Sequence, residues 1–85
     1  METRIAVMSI IVEQPEAVHT VNEILHSYAE YILGRMGIPY RERNLCLISI
    51  ALDAPQDKIS ALAGKLGKLS GISVKTALAS VTSHE

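Results

Sequence analysis

Ser9-Ile10-Ile11-Val12-Glu13-Gln14-Pro15 and, forty positions later, Ser49-Ile50-Ala51-Leu52-Asp53-Ala54-Pro55 follow one pattern twice. Each copy is an apolar run, an acid, one further residue and a proline, after which the apolar spacing becomes helical. Physically this is a strand that ends in a tight loop, with proline at the first helical position and acids near the helix amino terminus. Two such halves are the signature of a duplicated split βαβ unit. Chance similarity of two βα units is the competing explanation, and the pattern favours duplication.

Working outward, the first helix is predicted from about Glu16 to near Tyr31. At about 100° per residue, Val18, Val21, Leu25, Tyr28, Ala29 and Ile32 share one face. The second helix is predicted from about Pro55 to Leu69, with Ile59, Leu62, Ala63, Leu66 and Leu69 inward. Gly71 stops it, and Ile72 to about Val81 forms a last strand, with Thr82–Glu85 expected to fray. Between the first helix and Asn44, Ile32-Leu33-Gly34-Arg35-Met36-Gly37-Ile38-Pro39 reads as a short, glycine-weakened strand, and Gly34 fits either the helix end or the strand. The order is βαββαβ, an α+β ferredoxin-like fold with a four-stranded antiparallel sheet and both helices on one face. One domain spans residues 1–85, and 85 residues leave no room for a second.

The first and third strands are apolar on both faces, whereas helices can cover only one. On the third strand Cys46, Ile48, Ile50 and Leu52 are the bulkier set and are expected to face the helices. Leu45, Leu47, Ser49 and Ala51 then point outward, matching Ile5, Val7, Ser9 and Ile11 on the first strand. No segment remains to cover that outward face, so Ile5, Val7, Ser9, Ile11, Leu45, Leu47 and Ser49 are the expected subunit interface of a homo-oligomer, a dimer or a tetramer. Arg35 and Lys75 fall on the edge strands, where charge discourages uncontrolled pairing.

Apolar residues make up 48% of the chain, too high a share for disorder, and the formal net charge is −1. The balance gives no overall footprint for nucleic acid or anionic lipid. Residues 1–34 hold one basic and five acidic side chains, and residues 35–85 hold seven basic and four acidic ones. Cys46 is the lone cysteine, which excludes an intrachain disulfide and a cysteine-cluster metal site. No apolar run reaches about 18 residues, and no basic stretch followed by a hydrophobic one opens the chain, so the expected location is the cytoplasm, away from membrane.

Few constellations carry chemistry. His19, Glu23, His26 and Glu30 form a polar stripe on the first helix; adjacent pairs among His19, Glu23 and His26 are close enough to chelate a divalent transition metal, best if shared between subunits, whereas all four are spread over too many turns for one ion. A solvated polar face explains the same stripe and is favoured by spacing alone. Arg35, Arg41 and Arg43 flank Tyr40 and Glu42 around the predicted hairpin and could meet an anion, although hairpin tips are commonly charged because they are wet. Gly64-Lys65-Leu66-Gly67 lacks the strand and glycine spacing of a phosphate loop. Gly67 is expected to permit close packing, and Gly64 has no evident role. No nucleophile elbow or carboxylate–base pair is present, Cys46 reads as a buried hydrophobe, and Glu13-Gln14-Pro15-Glu16 has no glycine to admit a ligand to the backbone. An enzyme is therefore disfavoured.

Three ordered motifs carry a family resemblance. They are Val21-Asn22-x-x-Leu25-His26-x-Tyr28, then Ile32-x-x-Arg35-x-Gly37-Ile38-Pro39, then Ala61-Leu62-x-Gly64-Lys65-Leu66-Gly67-x-Leu69-x-Gly71-x-x-Val74-Lys75. Together they resemble the proposed regulators of the iron-only hydrogenase system. The resemblance implies a ferredoxin-like domain similar to ACT domains and to the carboxy-terminal domain of the nickel-responsive repressor. Such domains assemble into oligomers and bind small effectors or metals between subunits. It also implies Asn22, His26, Arg35, Lys65 and Lys75 as effector contacts. The expected function is a non-catalytic, self-associating module that senses a small molecule or metal. The alternative is an accessory protein that docks on an enzyme or maturation factor without an effector. Direct, sequence-specific DNA binding is not expected, for want of a recognition helix rich in base-reading side chains.

Overall fold

The computed structural model describes the backbone of residues 2–84 and the side chains of residues 2–79. Strand β1 (Glu2–Val12) leads through a 3-10 turn at Pro15–Ala17 into helix α1 (Val18–His26). A second 3-10 turn at Ala29–Tyr31 enters strand β2 (Ile32–Tyr40). After a third such turn at Arg41–Arg43 come strand β3 (Leu45–Ala54), helix α2 (Gln56–Gly67) and strand β4 (Ile72–His84). The sheet order is β2-β3-β1-β4 and every pair is antiparallel, the ferredoxin-like arrangement that the duplicated βα pattern implies. Among the described residues no helix is long and apolar enough to cross a membrane.

Forty residues separate Ser9 from Ser49 in the duplication, and the two serines sit opposite each other in the β1–β3 ladder. The two halves are thus related by an approximate two-fold axis through that pair. Side chains alternate across a strand, so one phase of each central strand faces the helices. Ala6, Met8, Ile10 and Val12 of β1 and Ile48, Ile50, Leu52 and Ala54 of β3 are buried. Val21, Leu25 and Tyr28 from α1 and Ile59, Leu62 and Leu66 from α2 close over them. Each large aliphatic member contributes about 1.5–3 kcal/mol by leaving water. The opposite phase, with Ile5, Val7 and Ile11, stays exposed.

Several boundaries differ from the sequence expectation. The α-helix ends at His26 rather than near Tyr31. The Ser27 hydroxyl donates to the Ile24 carbonyl at 2.7 Å, a local bond that competes with helix continuation. Tyr28 then leaves helical dihedrals (φ −112, ψ 17). The apolar spacing runs on unbroken because Tyr28 still reaches the core, with the Lys65 ammonium 5.0 Å from its ring centroid. Gly34 belongs to β2, at a register irregularity between Ile32 and Gly34. Pro55 precedes α2 instead of opening it, and its carbonyl accepts from the Lys58 and Ile59 amides.

The carboxy-terminal strand does not end near Val81. Its backbone pairs with β1 through Thr82, Ser83 and His84, which overturns the expected fraying for those three, while Glu85 lies outside the described residues. A register shift separates Arg4 from Ala6 along that ladder. The Arg4 guanidinium spans it, donating to the Ala79 carbonyl at 2.8 Å and to Gln56 Oε1 at 3.0 Å.

Helix α2 ends at Gly67 rather than Leu69, with Lys68 still in the right-handed region, so Gly71, expected to stop the helix, instead turns the chain into β4 at φ +74. The Gly71 carbonyl accepts from the Glu13 amide at 2.7 Å, and Gln14 lies across the position a Cβ would take. The reading of Gly67 is corrected: a Cβ there, as at Gly64, meets open space, so neither glycine permits close packing within the chain. Cys46 is only partly buried against the core, because it lies near the start of β3 opposite Pro39 of the edge strand.

Candidate functional site

A cleft of about 420 Å³ opens between α1 and the edge strand β2, lined by Asn22, Leu25, His26, Ala29, Ile32 and Arg35. It exists because the helix stops early. Once α1 ends at His26, the Ala29–Tyr31 turn swings the chain towards the sheet edge. On the helix side of β2 the next residues, Gly37 and Pro39, offer little to fill the gap. Asn22 and His26 stand one helical turn apart on α1, so their side chains share a face. Arg35 pairs with Ile50 in the ladder and therefore points to the helix side. Its Nη2 donates to Asn22 Oδ1 at 2.8 Å. Leu25 is fully buried and forms the apolar floor.

Three of the five expected effector contacts, Asn22, His26 and Arg35, thus come together. The other two do not join them. Lys65 stands over the Tyr28 ring on α2. Lys75 pairs with Ser9 in the β1–β4 ladder, which puts it on the outer face of the sheet. The basic hairpin also divides: Arg41 and Arg43 lie in the β2–β3 turn, closed by Asn44 in the left-handed region (φ 57), while Arg35 sits several residues along the strand.

The stripe on α1 provides one close pair. His19 Nε2 lies 3.6 Å from Glu23 Oε1, with side chains 83% and 67% exposed, a solvated i, i+4 pair. His26 lines the cleft instead, and among the described residues no three His, Cys, Asp or Glu side chains gather around a point that could hold a metal.

On its other face the sheet presents a second feature. Leu47 remains 37% exposed and Val7 46%, alongside Ile5 and Ile11. The edge strand adds Met36, Ile38 and Tyr40, which oppose Ser49, Leu47 and Leu45 and are all exposed. A shallow groove of about 230 Å³ runs between Ile11, Met36, Ile38 and Leu47. These three β2 residues escaped the sequence reading, which took β2 as glycine-weakened. The alternation Met36-x-Ile38-x-Tyr40 was the available signal. Likewise Leu25, Ala29 and Ile32 read as ordinary core positions, because the break after His26 that opens the cleft leaves no mark in apolar spacing.

Comparison with known proteins places these features in context. A family model, TM1266-like, described as "Iron-only hydrogenase system regulator, putative", matches residues 4–76. The solved structure of uncharacterized protein TM1266 from Thermotoga maritima is similar at 43% identity, with a TM-score of 0.85 over 89% of this chain and 96% of that one. A "Putative nickel-responsive regulator" of Saccharolobus islandicus is 29% identical over 66 residues, 78% of this chain and 49% of its own length. The chain thus spans about half the length of the curated relatives it matches. A formyltetrahydrofolate deformylase from Pseudomonas putida KT2440 shares the fold alone, at 13% identity and a TM-score of 0.63, over 86% of this chain and 28% of the enzyme.

Proposed function

The chain belongs to the TM1266-like family of iron-only hydrogenase system regulators, and from that premise we propose that it is a non-catalytic regulatory module that associates with itself and reads an effector in the α1–β2 cleft. The observation that carries this reading is the division of labour in the sheet. Its inner face is spent on the core, and its outer face exposes Ile5, Val7 and Ile11 of β1, Leu47 of β3 and Met36 and Ile38 of β2 around the Ser9–Ser49 pair. Isolated exposed apolar residues are ordinary, whereas a contiguous patch calls for a partner.

The partner proposed is a second copy. Four strands about 4.8 Å apart and about eight residues long, at roughly 3.3 Å each, give a footprint of about 500 Å² before side-chain corrugation. Corrugation raises that towards the ~800 Å² per partner of a standard interface. The near two-fold character of the β1–β3 pair, with Ser9 against Ser49, leaves small polar side chains at the centre, which allows close approach of two sheets. We assign no sequence-specific DNA contact to this chain, whose formal net charge is −1. The residues named in the cleft suit recognition rather than bond making, since no nucleophile is paired with a base there.

A thermal-shift screen of divalent metals, small anions and nucleotides tests the effector half. A compound that raises the melting temperature of the wild-type chain and fails to do so for His26→Ala supports it. A chain indifferent to every class contradicts effector sensing and favours docking on a protein partner through the sheet.

A further inference from the structure

We propose that the α1–β2 cleft takes a small aliphatic carboxylate, its head held by Arg35 and its chain lying on Leu25, Ala29 and Ile32. The proposal rests on the effector reading above and names the ligand class for that site.

Arg35 carries the argument. A guanidinium offers five donors in a rigid, planar fork that matches a carboxylate bidentately. Here the partner is the neutral amide oxygen of Asn22, 2.8 Å from Nη2. That bond fixes the fork while leaving the positive charge uncompensated, and among the described residues no carboxylate reaches ion-pair distance of it. The side chain therefore lies at the exposed rim of the cleft, oriented by Asn22 and without an ionic partner among the described residues. Pre-organisation of this kind lowers the ordering cost of binding.

The lining narrows the ligand class. Leu25, Ala29 and Ile32 are aliphatic, so the remainder of the ligand is short and apolar. Arg35 is the single permanent cation of the lining; Lys65 is engaged over Tyr28 and Lys75 lies on the far face. A doubly charged phosphate would call for a second fixed cation, and a metal ion would sit beside an unneutralised guanidinium with one imidazole to hold it. The cleft volume of about 420 Å³ falls in the range of small-molecule sites, at roughly 300–1,000 Å³.

The test uses the whole chain with 3-methylbutanoate and its neutral isostere 3-methylbutanamide, at ionic strength matched with sodium chloride. At about ten times its dissociation constant the acid is expected to raise the melting temperature by about 5–10 °C, and the amide to leave it unchanged. Arg35→Gln removes the response, and Arg35→Lys, which keeps charge but loses the fork, weakens binding by about tenfold or more. The acid–amide comparison needs no variant, so it decides even if Arg35→Gln is poorly folded. Equal responses to acid and amide, or a full response in Arg35→Gln, overturn the assignment. A response to inorganic phosphate or nickel chloride that is lost in His26→Ala, with none to the acid, overturns the carboxylate while sparing the effector reading. Silence towards all of these probes removes the carboxylate, and silence across the wider screen of metals, anions and nucleotides removes the effector reading as well.

Discussion

Leu47 and Ile48 are neighbours in sequence and opposites in structure, so one charge placed at each in turn tests which way the sheet faces. Ile48 is 3% exposed, paired with Ile10 on one side and Gly37 on the other, under the helices. Truncation there to alanine removes a fully buried branched side chain and costs about 2–5 kcal/mol. For a domain of this size that lowers the melting temperature by roughly 10–30 °C. Ile48→Glu is more severe. It buries a carboxylate in the apolar core, costing several kcal/mol against a total stability of about 5–15 kcal/mol, and the chain is expected to be unfolded at 25 °C. Leu47 is 37% exposed on the outer face, and a glutamate there stays hydrated in a single chain. Leu47→Glu is therefore expected to keep a folded circular-dichroism spectrum and to lose self-association in light scattering. A folded Ile48→Glu beside an unfolded Leu47→Glu would show that the sheet is turned over. A folded Leu47→Glu that still associates would refute the outer face as interface.

Other positions give sharper local outcomes. Gly71→Ala forces a side chain into the left-handed region and sets its Cβ 2.7 Å from Gln14 Cγ, so it is expected to cost about 1–2 kcal/mol in chemical denaturation. Adding Gln14→Ala should recover the part due to the clash. Gly64→Ala meets open space inside α2 and is expected to gain about 0.5–1 kcal/mol; a loss would mean that this helix face touches a partner. Arg4→Met removes the bond to the Ala79 carbonyl across the irregularity of the β1–β4 ladder and the bond to Gln56 of α2, and is expected to cost about 1–3 kcal/mol and to raise amide exchange near Ala79.

What the sequence disclosed, and what it concealed, follows from the range of each force. The repeated apolar-acid-x-proline pattern reports local chemistry, and it located both βα units, the order of elements and the inward phase of β1 and β3. The positions of Ile48 and Leu47 follow from a two-residue period that any central strand must obey. The end of α1 is a local change, in which Ser27 bonds the Ile24 carbonyl through both amide and hydroxyl and Tyr28 leaves helical dihedrals, and it leaves the apolar spacing intact. The cleft that this break opens was therefore invisible, although Asn22, His26 and Arg35 had been singled out through the family motifs. Lys65 and Lys75 belong to the same motifs and lie elsewhere, Lys65 over the Tyr28 ring from α2 and Lys75 opposite Ser9 on the outer face of the sheet, because motif order does not report which elements meet at a cleft. Met36, Ile38 and Tyr40 alternate along β2, but Gly34 and Gly37 interrupt the strand and mask that apolar period.

Self-association through the outer sheet face is the central claim, and sedimentation of the wild-type chain across a broad concentration range tests it most directly. The account predicts a species of at least twice the 9.2 kDa of one chain, dissociating only on dilution, and a single 9.2 kDa species for Leu47→Glu at the same concentrations. A wild-type chain that sediments at 9.2 kDa at every concentration would contradict it.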